Sequence, residues 1–412
     1  MPRSPLLSRT LATLYVALLA PLAQADSLSL PQAIATALEH NPEMAAARQE
    51  IGIADGARRQ AGLLPNPELS YEVEDTRRNT STTTVSISQP LELGGKRGAR
   101  IEVASIGQTL AQMTLERQAN DLRAEVTLAF HAALRAQTAV ELARQSLDLS
   151  ERGLRVVEGR VRAGKSSPVE ATRAQVQLAE ARLQLGGAET RKGTAWRQLA
   201  QVIGNPVETF ERLQAPSLSP GRPPAAGPLL ARLEQTAELR QAAAQIEQND
   251  AALGSEKARR IPDLTVSLGS QYDRAERERV NVVGLSLPLP LFDRNQGNVL
   301  AAARRADQSR DLRNAVELRL RSATRSALNQ WATAMDEVES YDRTILPAAR
   351  QAVDSATRGF EMGKFGFIEV LDAQRTLIAA REQYLASLAS ASEARALVER
   401  VYGDLGSATA TP

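Results

Sequence analysis

The sequence predicts a mainly α-helical protein made of two copies of one unit, in which a small β-hairpin is inserted into long helices. Three observations support this prediction. The 412-residue chain repeats itself at an interval of about 200 residues. Two pairs of segments alternate apolar with polar residues, which is typical of half-buried strands. A long proline-free stretch keeps a heptad spacing of apolar and small residues, which is typical of a coiled coil.

The repeat is visible in short matching segments. Pro-Glu-Leu-Ser at 67–70 recurs as Pro-Asp-Leu-Thr at 262–265, and the pair Gly164-Lys165 recurs as Gly363-Lys364. The copies also end alike, in Val-Ile-Gly-Asn and Val-Tyr-Gly-Asp. We therefore expect a first repeat at residues 26–204, a Pro- and Gly-rich linker at 205–228, a second repeat at 229–404 and a disordered tail at 405–412.

Residues 1–25 are predicted to be a cleavable signal peptide. Arg3 and Arg9 give a positively charged start, residues 11–22 form a short apolar run, and Ala-Gln-Ala at 23–25 is a small-x-small cleavage site. Cleavage removes two basic residues and no acidic one, so the mature chain is formally neutral and its charge does not indicate nucleic-acid binding. Because the chain has no cysteine, a lipoprotein anchored through cysteine is excluded.

Composition argues against an enzyme and against a bound metal or cofactor. The two histidines, His40 and His131, stand alone in helical stretches, whereas a metal site needs three or four clustered ligands. No nucleophile–base pattern is present. Gly-Gly-Lys-Arg at 94–97 lacks the spaced second glycine and the Ser or Thr of a phosphate-binding loop. We interpret that segment as an elbow between a strand and a helix.

The first repeat is expected to start with a helix from residue 30 to about 62, with Pro31 in its first turn. A β-hairpin follows at about 67–93, in which Leu69, Tyr71 and Val73 alternate with polar residues. The second repeat has its own first helix and the corresponding hairpin at about 262–291.

Each hairpin precedes a long helix, at about 95–163 and about 296–362, and then a helix of about 37 residues, at about 168–203 and about 367–402. From Leu122 to Val161 the apolar and small residues recur at alternating steps of four and three. A helix of nearly 70 residues is roughly 100 Å long. Pro347 is expected to kink or loosen the second long helix.

The predicted strands are long enough to cross a membrane when tilted. Their polar faces carry Ser, Thr and Glu, which suits a water-filled interior opposite a lipid-facing side. Four strands cannot close a lumen, however, and an unpaired edge in lipid leaves backbone groups without hydrogen bonds. Other subunits must therefore complete a barrel, or else the chain is a soluble four-stranded sheet on a coiled coil.

Several segments resemble the TolC-like outer-membrane efflux proteins, over essentially the whole mature chain. They are Ser-Leu-Pro-Gln-Ala at 29–33, Asn-Pro-Glu at 41–43, and the turns around Gly164 and Gly363. The resemblance implies a homotrimer whose twelve transmembrane β-strands form one barrel, with the helices forming a periplasmic tunnel closed at its inner end. It also implies an outer-membrane location.

Within that family, three segments look most like the cobalt–zinc–cadmium (CzcC-like) branch. They are Leu-Leu-Pro-Asn-Pro-Glu-Leu at 63–69, Leu-Glu-Leu-Gly-Gly-Lys-Arg at 91–97 and Leu-Phe-Asp-Arg-Asn-Gln-Gly at 291–297. Members of that branch work in a tripartite system with a periplasmic adaptor (membrane fusion) protein and a proton-driven RND-type inner-membrane pump. The resemblance therefore implies a part in heavy-metal resistance.

The tip turns of the helical hairpins are the narrow end of such a duct, so we expect the gate there. Glu369 and Asp372 are three residues apart and share one helical face. The resemblance assigns them to the acidic positions that line the constriction, where three copies would form two carboxylate rings that favour cations. A solvated helix face is the alternative interpretation.

The resemblance also bears on the residues that close and dock the tips. Where some relatives latch the tip through Tyr and Arg, this chain has Phe360 and Phe365, so an apolar latch is expected. The residues expected to shape the tips and contact the adaptor are Gly164, Lys165, Gly363 and Lys364.

The predicted function is that of the outer-membrane subunit of a tripartite efflux system, a passive exit duct for divalent or heavy-metal cations. The first alternative is a multidrug efflux or type I secretion duct, and the second is a periplasmic coiled-coil scaffold without a pore.

Overall fold

The computed structural model describes residues 27–77, 79–204, 212–214, 219–403 and 405. The predicted signal peptide, residues 406–412 of the predicted tail and parts of the predicted linker lie outside the described residues. No described helix is both long enough and apolar enough to cross a membrane.

The first repeat forms a helical unit with one β-hairpin. Its elements are β1 (Ser27–Ser29), α1 (Leu30–His40), α2 (Pro42–Ala61), β2 (Glu68–Glu74), β3 (Thr82–Leu91), α3 (Lys96–Arg162) and α4 (Pro168–Ile203). A short strand, β4 (Arg212–Gln214), follows it.

The second repeat has the same order of long elements. It contains α5 (Ala226–Ala231), a 3-10 turn (Leu233–Gln235), α6 (Ala237–Ala258), β5 (Leu264–Asp273), β6 (Glu278–Ser286), α7 (Gln296–Ser340), a π-helical turn (Tyr341–Ile345), α8 (Leu346–Glu361) and α9 (Phe367–Tyr402). The predicted fold class, mainly helical and duplicated with two β-hairpins, is confirmed.

The helix predicted from residue 30 to about 62 is in fact two helices. Asn41 between them has an extended backbone, with φ −64° and ψ 126°, because the residue before a proline avoids the helical region. Its side chain accepts hydrogen bonds from the backbone N–H groups of Glu43 and Met44, at 2.8 and 3.3 Å, and so caps α2. Its Nδ2 donates to the carbonyl of Val202 at 2.9 Å, which ties this break to the end of α4.

The second long helix, predicted at 296–362, is interrupted by the π-helical turn just before Pro347. The N–H of Leu346 donates to the carbonyl of Tyr341, five residues earlier instead of four. Proline supplies no N–H and its ring crowds the preceding turn, so the widened turn relieves the clash. Helix α3 runs for 67 residues without such a break.

The linker predicted at 205–228 is partly ordered. Strand β4 pairs in parallel with β1, and Leu213 is only 2% exposed. The side-chain oxygen of Gln137 accepts the N–H of Leu213 at 3.0 Å. Helix α5 begins at Ala226, inside the predicted linker. Leu405, at the start of the predicted disordered tail, is also packed in a core cluster, because apolar neighbours on α7 and α9 surround it.

The four long strands form one antiparallel sheet in the order β2-β3-β5-β6. Leu69, Ile87, Leu268 and Val283 lie side by side across it and are all exposed. The strand order leaves one edge of β2 and one edge of β6 without a partner strand among the described residues.

The long helices pack against one another along their length. Near the tips, α3 packs against both α4 and α9, and α9 packs against α8. Nearer the sheet, α3 packs against α2 and α6, and α6 packs against α7. The two repeats therefore meet where α3 contacts α9 and α6.

Candidate functional site at the helical tips

The turn between α3 and α4 ends its helix with a left-handed glycine. Gly164 has φ +69°, a conformation that favours glycine. Its N–H donates to the carbonyl of Val161, and the N–H of Lys165 donates to the carbonyl of Arg160, both at 2.9 Å. These two bonds form a Schellman motif, which satisfies carbonyls at the end of the helix.

The turn between α8 and α9 repeats this geometry. Gly363 has φ +73°. Its N–H donates to the carbonyl of Phe360 at 2.9 Å, and the N–H of Lys364 donates to the carbonyl of Gly359 at 2.8 Å. The four predicted tip residues thus occupy equivalent positions in two equivalent turns, and both lysine side chains are exposed.

The two tips differ in what fills the turn. Ser167 caps α4 by accepting the N–H of Val169 at 3.3 Å, whereas Gly366 at the start of α9 offers no side-chain cap. In the second tip the ring of Phe365 lies directly over Gly359, and a Cβ at that position would collide with it. A larger residue at 359 would therefore displace the ring of Phe365 from this position.

The two phenylalanines expected to form an apolar latch have different environments. Phe360 is 3% exposed and packs against Phe367, with ring centroids 5.5 Å apart. It belongs to a cluster that joins both hairpins through residues such as Val157 and Val370. Phe365 is 49% exposed. Phe360 thus joins the hairpins, while half of Phe365 remains available for another contact.

Sequence reasoning missed Arg160, which joins the two tips directly. Its Nη1 donates to the backbone carbonyl of Phe360 and its Nε to Ser166 Oγ, the latter at 3.1 Å. Its guanidinium also lies 4.5 Å from the centroid of the Phe360 ring. An arginine of the first repeat therefore holds a residue of the second by one hydrogen bond and a cation–π contact.

A comparison of the two copies could have singled out Arg160 as a residue that differs between the tips, although it would not have given its contact with Phe360. Arg160 and Ser166 in the first tip stand where the second tip has Gly359 and Phe365. Each pair touches within its own turn, the first by a hydrogen bond and the second by close packing. The duplicated turn therefore carries a polar pair in one copy and an apolar pair in the other.

The predicted acidic pair lies in the first two turns of α9. Glu369 and Asp372 are both exposed, and their side chains have no hydrogen bond or ion pair with any other described residue. A Cβ on Gly366 would lie 2.9 Å from Glu369 Oε2, so this carboxylate is folded back over the N-terminus of α9. The positive end of the helix dipole favours it there. Neither carboxylate joins the contact made by Arg160.

A groove of about 700 Å³ lies between α3 and α8 just above the tips, on the side of α9. Its apolar floor includes Phe360, Phe367 and Val370. Charged side chains line it on both helices, namely Arg152, Arg155, Asp354, Arg358 and Glu361. The groove therefore combines an apolar floor with a mainly basic rim.

The polar face of the sheet is acidic. Strand register places Glu74, Thr82, Asp273 and Glu278 side by side in one row. Glu68 and Glu72 lie on the same face, because alternate residues of a strand point the same way. No Lys or Arg of β2, β3, β5 or β6 lies on this face.

Away from the tips, the titration of His131 on α3 is perturbed. Burial and the neighbouring Arg135 and Arg395 lower its pKa to about 4. Within the described part of the chain, no three or more His, Asp or Glu side chains are grouped so as to hold a metal ion.

Comparison with known proteins places these features in context. A profile described as "Outer membrane efflux protein" matches the chain twice, over residues 33–205 and 231–404. The chain is 39% identical to the cobalt-zinc-cadmium resistance protein CzcC of Cupriavidus metallidurans, covering 93% of this chain and 92% of that protein. It is 28% identical to the nickel-cobalt-cadmium resistance protein NccC of Alcaligenes xylosoxydans xylosoxydans, covering 74% and 70%.

Among solved structures, the outer membrane protein VceC of Vibrio cholerae has a similar fold. The two superpose with a TM-score of 0.74 at 18% identity, covering 90% of this chain and 95% of that one.

Proposed function

The chain belongs to the outer membrane efflux protein family, and we propose that three copies of it form a passive duct that carries divalent heavy-metal cations out of the periplasm. The family resemblance predicted from the sequence is thereby confirmed. The observation that supports a duct best is the sheet, which has one apolar exposed face, one acidic face and two open edges.

The open edges support the assembly. In lipid an unpaired strand edge is costly, so β6 of one copy must pair with β2 of the next. Three copies supply twelve strands, enough to close a barrel around a lumen. The apolar face then contacts lipid in the outer membrane and the acidic face lines the lumen. Cleavage of the signal peptide after Ala25 precedes this assembly.

The proposal that the cargo is a divalent heavy-metal cation rests on the acidic residues along the path and on the names of two relatives. Two relatives carry names that refer to resistance to cobalt, zinc, cadmium and nickel. In this chain the acidic strand face and the carboxylates of Glu369 and Asp372 would favour cations along the path. A passive duct needs no resident metal site and no catalytic group, so the cations pass as cargo.

The gate is proposed at the tips, with the contact of Arg160 and Phe360 as the bond that keeps it closed. That contact joins the two hairpins of one copy at the narrow end of the tunnel. Phe365, half exposed beside it, would narrow the same end. Rings of Glu369 and Asp372 from three copies would select cations just inside the gate.

The partners are proposed to be a periplasmic adaptor and an RND-type inner-membrane pump. Gly164, Lys165, Gly363 and Lys364 shape two equivalent exposed turns that an adaptor can contact at the same height. The groove between α3 and α8 offers an apolar floor with a basic rim, which suits an amphipathic helix with acidic flanks.

A deletion strain tests the function. Loss of the chain is expected to lower growth in zinc, cobalt or cadmium, with growth in hydrophobic drugs unchanged, and the intact gene is expected to restore metal tolerance. Sensitivity to drugs alone would support the multidrug alternative. Recovery of the mature chain from the periplasm without detergent would support the scaffold alternative.

A further inference from the structure

We propose that the lipid-facing side of the sheet binds a phosphate group of the outer-leaflet glycolipid (lipopolysaccharide) through Arg279, helped by Arg277 and Tyr272. This inference rests on the proposed function, because it requires the apolar face of the sheet to contact the outer membrane. It gives the duct a site that the cargo does not touch, since Arg279 lies on the face opposite the acidic one.

Strand register places Arg279 on the apolar face of the sheet. The outermost paired row of that face consists of Val73, Thr83, Tyr272 and Arg279. Each member lies four residues from a member of the apolar row that contains Leu268. Because alternate residues of a strand point the same way, this even separation keeps both rows on one face. Arg279 therefore lies on the side that contacts lipid in the proposed barrel.

The same row lies near the outer end of the membrane-spanning part. Strands β5 and β6 are joined by the turn at 274–277, whereas their other ends lead to α6 and α7, which lie on the periplasmic side of the proposed barrel. From Leu264 to Tyr272, eight steps of about 3.4 Å give about 27 Å along the strand, or about 21 Å along the membrane normal at a tilt of about 40°. The apolar band of such barrels is about 25 Å tall. Tyr272 and Arg279 therefore lie close to the outer headgroups.

The chemistry of the lipid-facing side changes at this level. The row that contains Leu268 is wholly apolar, whereas the two rows beyond it include polar residues, namely Thr83, Ser270, Arg279 and Asn281. Tyr71 and Tyr272 are both exposed in these two outer rows. Tyrosine is enriched at membrane interfaces, because its ring is apolar and its hydroxyl is polar. The apolar band thus ends at two tyrosines, where Arg279 follows.

Arg277 and Arg279 carry charges that no other described residue neutralises. Both side chains are exposed, and neither makes a hydrogen bond or an ion pair with another described residue. The turn between β2 and β3 differs, because Arg77 there forms an ion pair with Asp75 at 2.7 Å. The second hairpin therefore presents two unpaired guanidinium groups to the outer leaflet.

The acidic residues beside this turn do not compete for the arginines. Asp273 and Glu278 pair with each other across the strands and lie on the acidic face of the sheet. Asp273 also accepts the backbone N–H groups of Ala275 and Glu276, at 2.7 and 3.2 Å. The two signs of charge are thus separated onto the two faces, with Arg279 on the lipid side.

A phosphorylated glycolipid fits both parts of this surface. A guanidinium presents a planar fork of donors that binds phosphate through two hydrogen bonds. Tyr272 is directly opposite Arg279, so their Cβ atoms are about 4.5–5.5 Å apart and the tyrosine hydroxyl can donate to the same phosphate. The acyl chains of the same molecule would then lie along the apolar row that contains Leu268. The occupant therefore combines an anionic headgroup with hydrocarbon.

Binding of lipid A, the phosphorylated anchor of lipopolysaccharide, tests the site. Purified full-length trimers are titrated with lipid A that carries both phosphates, and bound lipid is counted by native mass spectrometry. Arg279→Ala is expected to raise the Kd about tenfold. Arg279→Lys keeps the charge but loses the fork, so an increase of about threefold is expected. This second variant keeps the test informative if Arg279→Ala assembles poorly.

Arg325→Ala is the matched control. This arginine is also exposed and makes no hydrogen bond or ion pair with another described residue. It lies on α7, about 45 Å along the helix from the end nearest the sheet. Its removal changes the net charge in the same way but far from the membrane, so the Kd for lipid A is expected to equal that of wild type.

Two further ligands define what is recognised. Lipid A without its phosphates is expected to bind weakly, and equally to wild type and Arg279→Ala. Inorganic phosphate at the same concentration is expected not to displace intact lipid A, because it lacks the acyl chains. Equal affinity of wild type and Arg279→Ala for intact lipid A, equal affinity of wild type for the two lipids, or displacement by inorganic phosphate would overturn the proposal.

The outcome also separates this inference from the function. Arg279→Ala trimers are expected to restore metal tolerance, because the residue lies outside the lumen. Wild-type trimers that restore tolerance, yet bind lipid A no better than Arg279→Ala trimers do, would overturn the lipid site and leave the duct standing. A chain that forms no trimer in the outer membrane would overturn both.

Discussion

Replacing Arg160 by alanine is expected to open the channel at its periplasmic end. The substitution removes the hydrogen bond to the carbonyl of Phe360, the bond to Ser166 at 3.1 Å and the contact with the Phe360 ring at 4.5 Å. All three are made by one side chain of the first repeat. Two of them reach the second repeat, so the change acts on the junction of the hairpins.

The magnitude follows from these contacts. Hydrogen bonds to a charged group contribute roughly 1.5–3 kcal/mol each, and a cation–π contact contributes about 0.5–2 kcal/mol. The Phe360 carbonyl keeps its bond from the N–H of Gly363, and Ser166 is partly exposed and can bond to water, so neither partner is left unsatisfied. We therefore expect a loss of about 2–4 kcal/mol per copy, which changes the ratio of open to closed tips roughly 30- to 1,000-fold.

Single-channel recording of purified trimers in planar bilayers measures this effect. Wild type is expected to stay mostly in a low-conductance state, and Arg160→Ala is expected to be mostly in a high-conductance state. Arg160→Lys keeps the charge but loses the planar fork of donors, so an intermediate result is expected. Phe360→Leu removes the ring but keeps the backbone carbonyl, so it separates the effect of the cation–π contact from that of the hydrogen bond.

Arg162→Ala is the matched control, because this exposed arginine lies in the same helical turn and makes no hydrogen bond or ion pair with another described residue. It is expected to behave as wild type. The reasoning would be refuted if folded Arg160→Ala trimers kept the wild-type conductance, or if Arg162→Ala opened the channel equally.

Three further changes test other parts of the molecule. Gly363→Ala places a Cβ at φ +73° and is expected to destabilise the second tip by about 1–2 kcal/mol, which would be seen as faster hydrogen exchange there. Its control is Gly193→Ala, on an exposed part of α4 with open space around it, which is expected to stabilise that helix by up to about 1 kcal/mol. Asp372→Asn is expected to lower the cation-over-anion permeability ratio severalfold in reversal-potential measurements, whereas Glu361→Gln, which faces the groove between α3 and α8, should leave it unchanged. The pKa of His131 is lowered from 6.5 to about 4, so the unfolded chain binds a proton at a higher pH than the folded chain does. The free energy of unfolding, followed by thermal unfolding, is therefore expected to fall by up to about 3 kcal/mol between pH 6.5 and pH 4. The substitution His131→Gln is expected to remove this pH dependence.

Much of the architecture follows from local patterns. The alternation of Leu69, Tyr71 and Val73 with polar residues predicts strand β2, and the structure has it at Glu68–Glu74. The heptad spacing from Leu122 to Val161 predicts one uninterrupted long helix, and α3 is such a helix. These features were predictable because the periodicity of apolar residues involves only residues that are close together in the sequence.

Breaks in the helices were harder to predict because they depend on distant partners. Asn41 ends α1 and caps α2, but its amide is held by Val202, at the far end of the repeat. The ordered part of the linker has the same origin, since β4 requires β1 as its partner. A pattern read along the chain does not include a contact between residues that are 161 or 185 positions apart.

The sequence by itself determined the duplication, the strands with one polar face, and the two glycine turns at the tips, because each depends on residues within one or two turns of each other. Only the tertiary structure decided how the tips are joined. Arg160 and Phe360 are 200 positions apart, and their contact exists only because the two hairpins pack side by side with level ends. The roles of the two different pairs, Arg160 with Ser166 and Gly359 with Phe365, can be understood only from that packing.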